Sequence, residues 1–312
     1  MPSPTAVVCA YSSVGTAALE GLLEAGVEVL ALYTYSQAPD EHWFTPPAAV
    51  AQACGIPVHR APAFNDDAVF EAIAAHRPDF LFSFYFREMI QARVLEVPRL
   101  GAYNLHGSLL PTYRGRAPLN WVLVKGETET GVTLHAMTPK PDDGHIVAQA
   151  HLPIAWDETA LSLTEKAATA GRDLVRAAVP GLVDGSAPRI DQRTLGPSTY
   201  FGGRKPADSR LLPTMTVQEA FNQIRAVADP WPNAFLETPL GTVKVAWALP
   251  SAESCRAGGF RLCGEGLLLG FADGALRIHT LKAQGLRVER PTEQAELLRR
   301  LGLEEAQAPP QS

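Results

Sequence analysis

The sequence predicts an α/β fold in which a doubly wound, mostly parallel sheet is followed by a smaller all-β domain. Two observations carry this prediction. In the first 190 residues, short apolar runs alternate with segments of helical periodicity, which is the pattern of consecutive β-α-β units. After residue 211, strand-like runs follow each other closely with turn residues between them, which is typical of a small barrel.

The first β-α-β unit consists of a strand over 5–10, a helix over 15–25 and a strand over 27–35. The next predicted elements are helix 47–54, strand 57–60, helix 66–76 and strand 79–84. Because the strand 79–84 is almost continuously apolar, we expect helices to cover both faces of the sheet, as in Rossmann-like folds. The first turn, 10–15, lacks the G-x-G-x-x-G pattern and therefore predicts no dinucleotide site.

Further strands are predicted over 102–106, 132–137 and 146–154, and a helix over 160–179 ends the first domain. The predicted organisation is a catalytic domain 1–190, a Pro- and Gly-bearing linker 191–210, an OB-like β-barrel domain 211–304 and a frayed tail 305–312. The elements predicted in the second domain are a helix over 216–227 and strands over 234–237, 242–249, 267–271 and 275–281.

Composition and charge exclude several classes of protein. The chain has 312 residues, of which 46% are hydrophobic and 19% charged, as expected for a globular protein of about two domains. The first Lys or Arg is Arg60, which five acidic residues precede, so a basic N-terminal arm for nucleic acid is excluded. The start has no signal-peptide pattern, so we expect a cytoplasmic protein. The four scattered cysteines predict neither a disulfide framework nor a metal site.

The stretch 104–116, NLHGSLLPTYRGR, carries the most information about function. Residues two apart on a strand share a face, so Asn104 and His106 present an amide and an imidazole side by side. They lie at the carboxyl end of a predicted strand, which is where open α/β sheets bind ligands. An isolated pair of this kind is more often a turn residue and a core histidine, and the surrounding pattern decides between these interpretations.

The sequence NLHGSLLP, followed by KPDDG at 140–144, resembles the formyltetrahydrofolate-dependent formyltransferases. In that family an Asn, a His and an Asp form the catalytic set, and the matching positions here are Asn104, His106 and Asp142. The similarity extends over most of residues 5–300 and is greatest to the branch that formylates UDP-4-amino-4-deoxy-L-arabinose in polymyxin resistance. The segments that carry it are FSFYFR at 82–87, RAPLNWVLV at 116–124, GETETGVTLH at 126–135 and RAVADPWP at 225–232.

The resemblance implies a role for each member of this set. Asn104 donates to the oxyanion that forms when an amine attacks the formyl carbon of 10-formyltetrahydrofolate, and His106 transfers protons. An ionised Asp142 near His106 favours the imidazolium. This chemistry requires no metal. His135 lies in a strand with alternating neighbours and is interpreted as a structural histidine.

Two further groups of residues are predicted to bind ligands. The resemblance implies folate contacts from Glu88, Met89, Ile90, Arg116, Thr138, Pro139, Lys140, Pro141 and Asp142. The close relatives carry His where this chain has Glu88, so only a main-chain contact is expected at that position. Candidates for binding the sugar nucleotide are Ser108, Arg114, Tyr200, Arg204 and Lys205.

Charge also bears on the acceptor of the formyl group. The tRNA-dependent members of the family carry a basic loop after the second strand, whereas the loop 36–46 here has two acidic residues and no Lys or Arg. Residues 191–312 contain 14 basic and 13 acidic side chains, which leaves no surplus to bind a nucleic acid. We therefore expect a UDP-amino sugar, UDP-4-amino-4-deoxy-L-arabinose, as acceptor, and neither nucleic acid nor membrane insertion.

Several alternatives stay open from the sequence. The acceptor could be another amino-sugar nucleotide or methionyl-tRNA, and the same catalytic set could hydrolyse formyltetrahydrofolate with water as the nucleophile. A folate- or nucleotide-binding sensor would keep the fold without needing the catalytic set. The oligomeric state is not predicted.

Overall fold

The computed structural model describes residues 2–39, 41–60, 64–238, 241–263 and 266–303. The chain forms two compact units. The first comprises residues 1–119, 128–155 and 162–203, and the second comprises 120–127, 156–161 and 204–312. Two short segments from within the first 190 residues therefore belong to the second unit. The predicted tail 305–312 lies outside the described residues.

The elements up to residue 201 follow the predicted alternation. The strands are β1 (Thr5–Ala10), β2 (Glu28–Thr34), β3 (Val58–Arg60), β4 (Phe80–Phe84), β5 (Gly101–His106), β6 (Arg114–Gly115), β7 (Glu129–Ala136), β8 (Ile146–Pro153) and β9 (Tyr200–Phe201). The helices are α1 (Ser12–Glu24), α2 (Pro47–Ala53), α3 (Asp67–His76), α4 (Ala92–Leu95), α5 (Pro118–Lys125) and α6 (Ala160–Asp184), with a 3-10 turn at Gln192–Thr194.

Seven strands of the first unit form one sheet in the order β3-β2-β1-β4-β5-β7-β8. The first five are parallel, and β7 and β8 add an antiparallel hairpin. An apolar cluster under α3 and α4 covers one face. On the opposite side, α6 packs closely against the sheet. A Cβ added at Gly171 of α6 would lie only 2.7 Å from Leu105 Cδ2 of β5. The predicted doubly wound, Rossmann-like fold is confirmed.

The second unit is built on an antiparallel sheet. Its elements are the 3-10 turn Pro206–Ser209, α7 (Val217–Ala226), β10 (Ala234–Thr238), β11 (Gly241–Ser251), β12 (Phe260–Cys263), β13 (Gly266–Phe271), β14 (Gly274–Ala283), β15 (Leu286–Val288) and α8 (Pro291–Arg300). The strand order is β10-β11-β14-β13-β12, with β15 beside β14. Apolar side chains of α7 and α8, including Phe221 and Leu297, pack with those of the strands to form the core of this unit.

The segments 120–127 and 156–161 are held in the second unit by polar contacts. Asn120 Nδ2 donates to the main-chain oxygen of Ala226 over 2.7 Å. Arg225, only 3% exposed, lies over the ring of Phe221 and donates to the main-chain oxygen of Glu158 over 3.5 Å. Buried polar groups need such partners, so these contacts fix where the two segments run. None of the described helices is long and apolar enough to cross a membrane.

The structure also contains elements that the sequence did not predict. They are α4, α5, α8, β6, β9, β12 and β15. Helix α6 extends to Asp184, beyond the predicted end at 179, because Pro180 lies near its end and removes only one amide donor.

Candidate active site

Asn104 and His106 lie at the carboxyl end of β5, next to the antiparallel strand β7. In this pairing Asn104 is opposite His135 and His106 is opposite Thr133. His106 is 6% exposed and His135 is 2% exposed. The edge of the sheet thus brings an amide and two imidazoles together.

Both ring nitrogens of His106 face protein oxygens. Nε2 is 2.8 Å from the main-chain oxygen of Tyr113. A carbonyl oxygen can only accept, so Nε2 carries a proton. Nδ1 lies 3.5 Å from Asp142 Oδ1, which is longer than a usual hydrogen bond. In the neutral ring, the nitrogen that can take up a proton is therefore Nδ1, beside the carboxylate.

Asp142 lies in the loop after β7 and is held in place from several directions. Its φ of 51° places it in the left-handed region, where a non-glycine residue is strained. Oδ2 accepts a hydrogen bond from Gly115 N over 2.8 Å. The Gln192 amide donates to the main-chain oxygens of Asp142 and Gly144 over 3.1 and 2.6 Å. The carboxylate is thus held near His106 by groups that are distant in sequence.

His135 contacts both Asn104 and Asp142. Its Nε2 is 3.0 Å from Asn104 Nδ2 and 3.7 Å from Asp142 Oδ1. Its Nδ1 is 2.9 Å from the main-chain oxygen of Ala136. Burial lowers the pKa of His135 to about 4, although the Asp142 carboxylate acts in the opposite direction. From the sequence, His135 is interpreted as structural, and its contact with Asn104 is not predicted. That contact depends on the antiparallel register of β7 beside β5, which the sequence does not show.

Ser108 and Arg114, two of the residues predicted to bind the nucleotide, bond to neighbouring loops. Ser108 is fully buried, and its hydroxyl donates to the main-chain oxygen of Thr112 over 2.7 Å. Arg114 donates to the main-chain oxygen of Pro141 over 2.5 Å and pairs with Asp143 over 3.0 Å. In this arrangement Arg114 braces the loop that carries Asp142.

The predicted linker contributes directly to this site. Strand β9 pairs in parallel with β6, so Arg114 lies beside Tyr200 and Gly115 beside Phe201. The rings of Tyr113 and Phe201 stack at 4.9 Å. Gly115 has a φ of 98°, and a Cβ there would lie 2.1 Å from the Phe201 oxygen. Tyr200, a predicted nucleotide contact, is 61% exposed on the same strand.

The two segments predicted to bind folate meet at one apolar cluster. Ile90 is part of the cluster under α3 and α4, and Met137, which precedes the 138–142 turn, packs against it. Met89 is 54% exposed, and its main-chain oxygen accepts from Asn65. The turn is closed by a bond from Thr138 Oγ1 to the main-chain oxygen of Lys140. Glu88 is half-buried, whereas Arg116 is exposed.

The two remaining candidates, Arg204 and Lys205, belong to the second unit. The Arg204 guanidinium lies 4.9 Å from the centre of the Trp121 ring and donates to the main-chain oxygen of Asp208. The main-chain nitrogen of Lys205 donates to the Asp208 carboxylate. Among the described residues, no group of three or more His, Cys, Asp or Glu side chains is placed to hold a metal ion.

The side chain of Glu41 attaches the acidic loop after β2 to residues that follow β1 and β4. Glu41 accepts a hydrogen bond from the Tyr11 hydroxyl and pairs with Arg87 over 3.4 Å. The Arg87 guanidinium lies 4.2 Å from the centre of the Tyr11 ring, so the three side chains form one cluster. Burial and the hydrogen bond to Glu41 raise the pKa of Tyr11 to about 12, whereas the Arg87 charge acts in the opposite direction.

Comparison with known families and structures gives consistent results. The profile of the formyl transferase family matches residues 10–179, and that of the formyl transferase C-terminal domain matches residues 204–296. The first of these matches covers more than half of the chain.

Solved structures with similar folds include several of low sequence identity. HypX from Aquifex aeolicus in complex with tetrahydrofolic acid has a TM-score of 0.65 and 18% identity, over 98% of this chain and 49% of that one. The chain therefore spans about half the length of HypX. The N-formyltransferase from Helicobacter canadensis in complex with folinic acid and dTDP-3-aminofucose has a TM-score of 0.67 and 20% identity, over 89% and 98% of the two chains.

A third similar structure comes from Mycobacterium tuberculosis and is described as a likely sugar N-formyltransferase. Its TM-score is 0.60 and its identity 21%, over 79% of this chain and 97% of that one. These similarities concern the fold.

Proposed function

We propose that this chain, which belongs to the formyl transferase family, transfers the formyl group of 10-formyltetrahydrofolate to the 4-amino group of UDP-4-amino-4-deoxy-L-arabinose. The observation that carries the proposal is the convergence of Asn104, His106 and Asp142 at the carboxyl edge of β5. Folate supplies the formyl carbon when it is bound. The chain's own residues orient the reactants and move the proton.

The proposed roles follow from the donors and acceptors in the site. The Asn104 side chain supplies an N–H for the formyl oxygen, which gains negative charge during attack. The attacking amine must lose a proton, and the neutral His106 ring has Nδ1 free to take it. Asp142, 3.5 Å from Nδ1, stabilises the resulting imidazolium. The proton thus moves from the amine to an imidazole that is already paired with a carboxylate. His106 then returns this proton to N10 as the bond between N10 and the formyl carbon breaks, so that tetrahydrofolate leaves and the formamide remains.

A folate donor fits the residues around this edge of the sheet. A pterin ring needs an apolar wall and a few main-chain polar groups. Ile90 and Met137 supply apolar side chains from one cluster, and the turn that ends at Asp142 supplies main-chain groups. Two of the similar proteins described above are complexes with tetrahydrofolic acid or folinic acid, which supports a folate donor here.

A small amino-sugar nucleotide is the acceptor that the charges favour. In the described part of the loop after β2, the acidic residue is Glu41, and it pairs with Arg87. The sequence of the loop 36–46 contains no Lys or Arg, so it supplies neither of these cations for a tRNA phosphate. The similar N-formyltransferase from Helicobacter canadensis was crystallised with a dTDP-amino sugar, which supports the same substrate class. The choice of UDP and of 4-amino-4-deoxy-L-arabinose rests on the sequence segments quoted above.

The proposal is tested by measuring formyl transfer from 10-formyltetrahydrofolate to a panel of acceptors. The panel comprises UDP-4-amino-4-deoxy-L-arabinose, dTDP-3-amino and dTDP-4-amino sugars, and methionyl-tRNA. We expect the highest kcat/KM for the UDP sugar and loss of the activity in Asn104→Ala. A preference for a dTDP sugar would show that the proposed acceptor is wrong while its substrate class is right. Formylation of methionyl-tRNA would show that amino-sugar nucleotides are the wrong substrate class. Release of formate at full rate without any acceptor would show a hydrolase instead.

A further inference from the structure

The two nitrogens of His135 have different neighbours, and these determine where its proton lies. Nδ1 is 2.9 Å from the main-chain oxygen of Ala136, which can only accept a hydrogen bond. The single proton of the neutral ring is therefore on Nδ1. Nε2 is then an acceptor, and it lies 3.0 Å from the side-chain amide of Asn104. The atom that Asn104 directs at His135 must be its amide nitrogen.

This bond determines what Asn104 offers to a ligand. One hydrogen of the NH2 group is used by Nε2, and the other remains for an oxygen outside the protein. If the amide were rotated by a half turn, its oxygen would face the lone pair of Nε2 and the donor would be lost. We propose that His135 is a positioning residue that holds the Asn104 amide with one N–H directed at the formyl oxygen. The inference rests on the proposed function, because it assigns a formyl oxygen as the partner of that N–H.

The role requires an uncharged ring. Asp142 Oδ1 lies 3.5 Å from His106 Nδ1 and 3.7 Å from His135 Nε2, so the two histidines share one carboxylate oxygen. A proton on His135 Nε2 would repel the Asn104 amide and draw the carboxylate away from His106. Burial, opposed by Asp142 and assisted by the charges of His106 and Arg114, lowers the pKa of His135 to about 4. The ring is therefore neutral near pH 7.

Two substitutions at this position separate hydrogen bonding from packing. His135→Leu removes the acceptor, whereas His135→Gln keeps an acceptor oxygen. Since loss of a positioned amide donor lowers kcat by about 10²- to 10³-fold, we expect His135→Leu to lower kcat by about 10- to 100-fold. The KM for 10-formyltetrahydrofolate should change by less than about twofold, and His135→Gln should recover most of the activity. Equal losses of kcat in both variants would overturn the proposal.

The pairing with Asn104 is tested by a double-mutant cycle. In the Asn104→Ala background, we expect His135→Leu to lower the remaining kcat by less than about twofold, because the group that it positions is already absent. A purely structural role predicts instead that the two losses multiply. Multiplicative losses would overturn the inference.

A measurement that does not depend on activity is the tautomer of His135. We expect ¹⁵N NMR of the histidine side chains at pH 7 to show a neutral ring with its proton on Nδ1. An Nε2–H tautomer or a charged ring would overturn the proposal, even if His135→Leu does not fold. If the Nδ1–H tautomer is found but no acceptor is formylated, the proposed function fails while the geometry of the pair stands.

Discussion

Burial of His135 should make the stability of the protein depend on pH in a defined range. The folded protein holds this ring uncharged, with a pKa lowered from 6.5 to about 4, whereas the unfolded chain exposes it. Between these values the unfolded chain binds a proton that the folded protein does not. The free energy of unfolding therefore falls as the pH decreases from about 6.5 to about 4, and this contribution is fully present above pH 6.5.

The size of the effect follows from the shift. At about 1.4 kcal/mol for each pH unit, a change from 6.5 to about 4 corresponds to about 3 kcal/mol. The assay is urea unfolding of the wild type and of His135→Gln at closely spaced pH values from 7.5 to 4. Carboxylates that do not contact His135 affect both proteins equally and cancel in the difference. We expect the wild type to lose about 3 kcal/mol relative to the variant across this range.

The reasoning would be refuted if the stability curves of wild type and His135→Gln ran parallel from pH 7.5 to 4. His151, whose side chain is 64% exposed on β8, provides the matched control. His151→Gln should follow the wild-type curve within about 0.5 kcal/mol, since an exposed substitution rarely changes stability by more.

Three other predictions concern the site and its support. Asn104→Ala should lower kcat by about 10²- to 10³-fold in a formyl-transfer assay. It should also cost about 1–3 kcal/mol of unfolding free energy, because the buried Nε2 of His135 loses its donor. Gln192→Leu should cost about 1–3 kcal/mol of unfolding free energy and also lower kcat, because it leaves two main-chain oxygens near Asp142 without a donor. Gly115→Ala should destabilise the protein more than Gly196→Ala, because a Cβ at 115 would lie 2.1 Å from the Phe201 oxygen.

The controls for these variants come from the same chain. Gly196 also has a positive φ, 126°, but a Cβ there would meet nothing within 4 Å, so Gly196→Ala measures backbone strain alone. Equal losses of stability at positions 115 and 196 would contradict the proposed clash. An unchanged kcat in Asn104→Ala or in Gln192→Leu would contradict the role given to that residue.

The parallel sheet could be predicted because its strands are defined by local composition. All five residues of β4 are buried, and its sequence is correspondingly almost continuously apolar. Short elements lack such a signal. Strands β6 and β9 have two residues each, and they form because two distant segments of the chain pair with each other. No local sequence pattern predicts that residue 114 pairs with residue 200.

The site shows the same limit. Asn104 and His106 are two residues apart on one strand, so the sequence alone places them together. Asp142 came from the resemblance, and the structure places it 3.5 Å from His106. His135 and Gln192 could not be assigned, since the first depends on the antiparallel register of β7 and the second reaches Asp142 from 50 residues further along the chain.

The pairing of β9 with β6 bears on how this protein could be divided or recombined. Tyr113, whose main-chain oxygen holds His106, stacks on Phe201, and Phe201 also accepts from Arg116 N. A fragment ending at residue 190 would keep every residue of the catalytic set and lose this support. Exchange of C-terminal units between relatives should therefore preserve activity only when the junction follows Phe201. In such exchanges, residues 191–201 therefore have to be kept with the first unit.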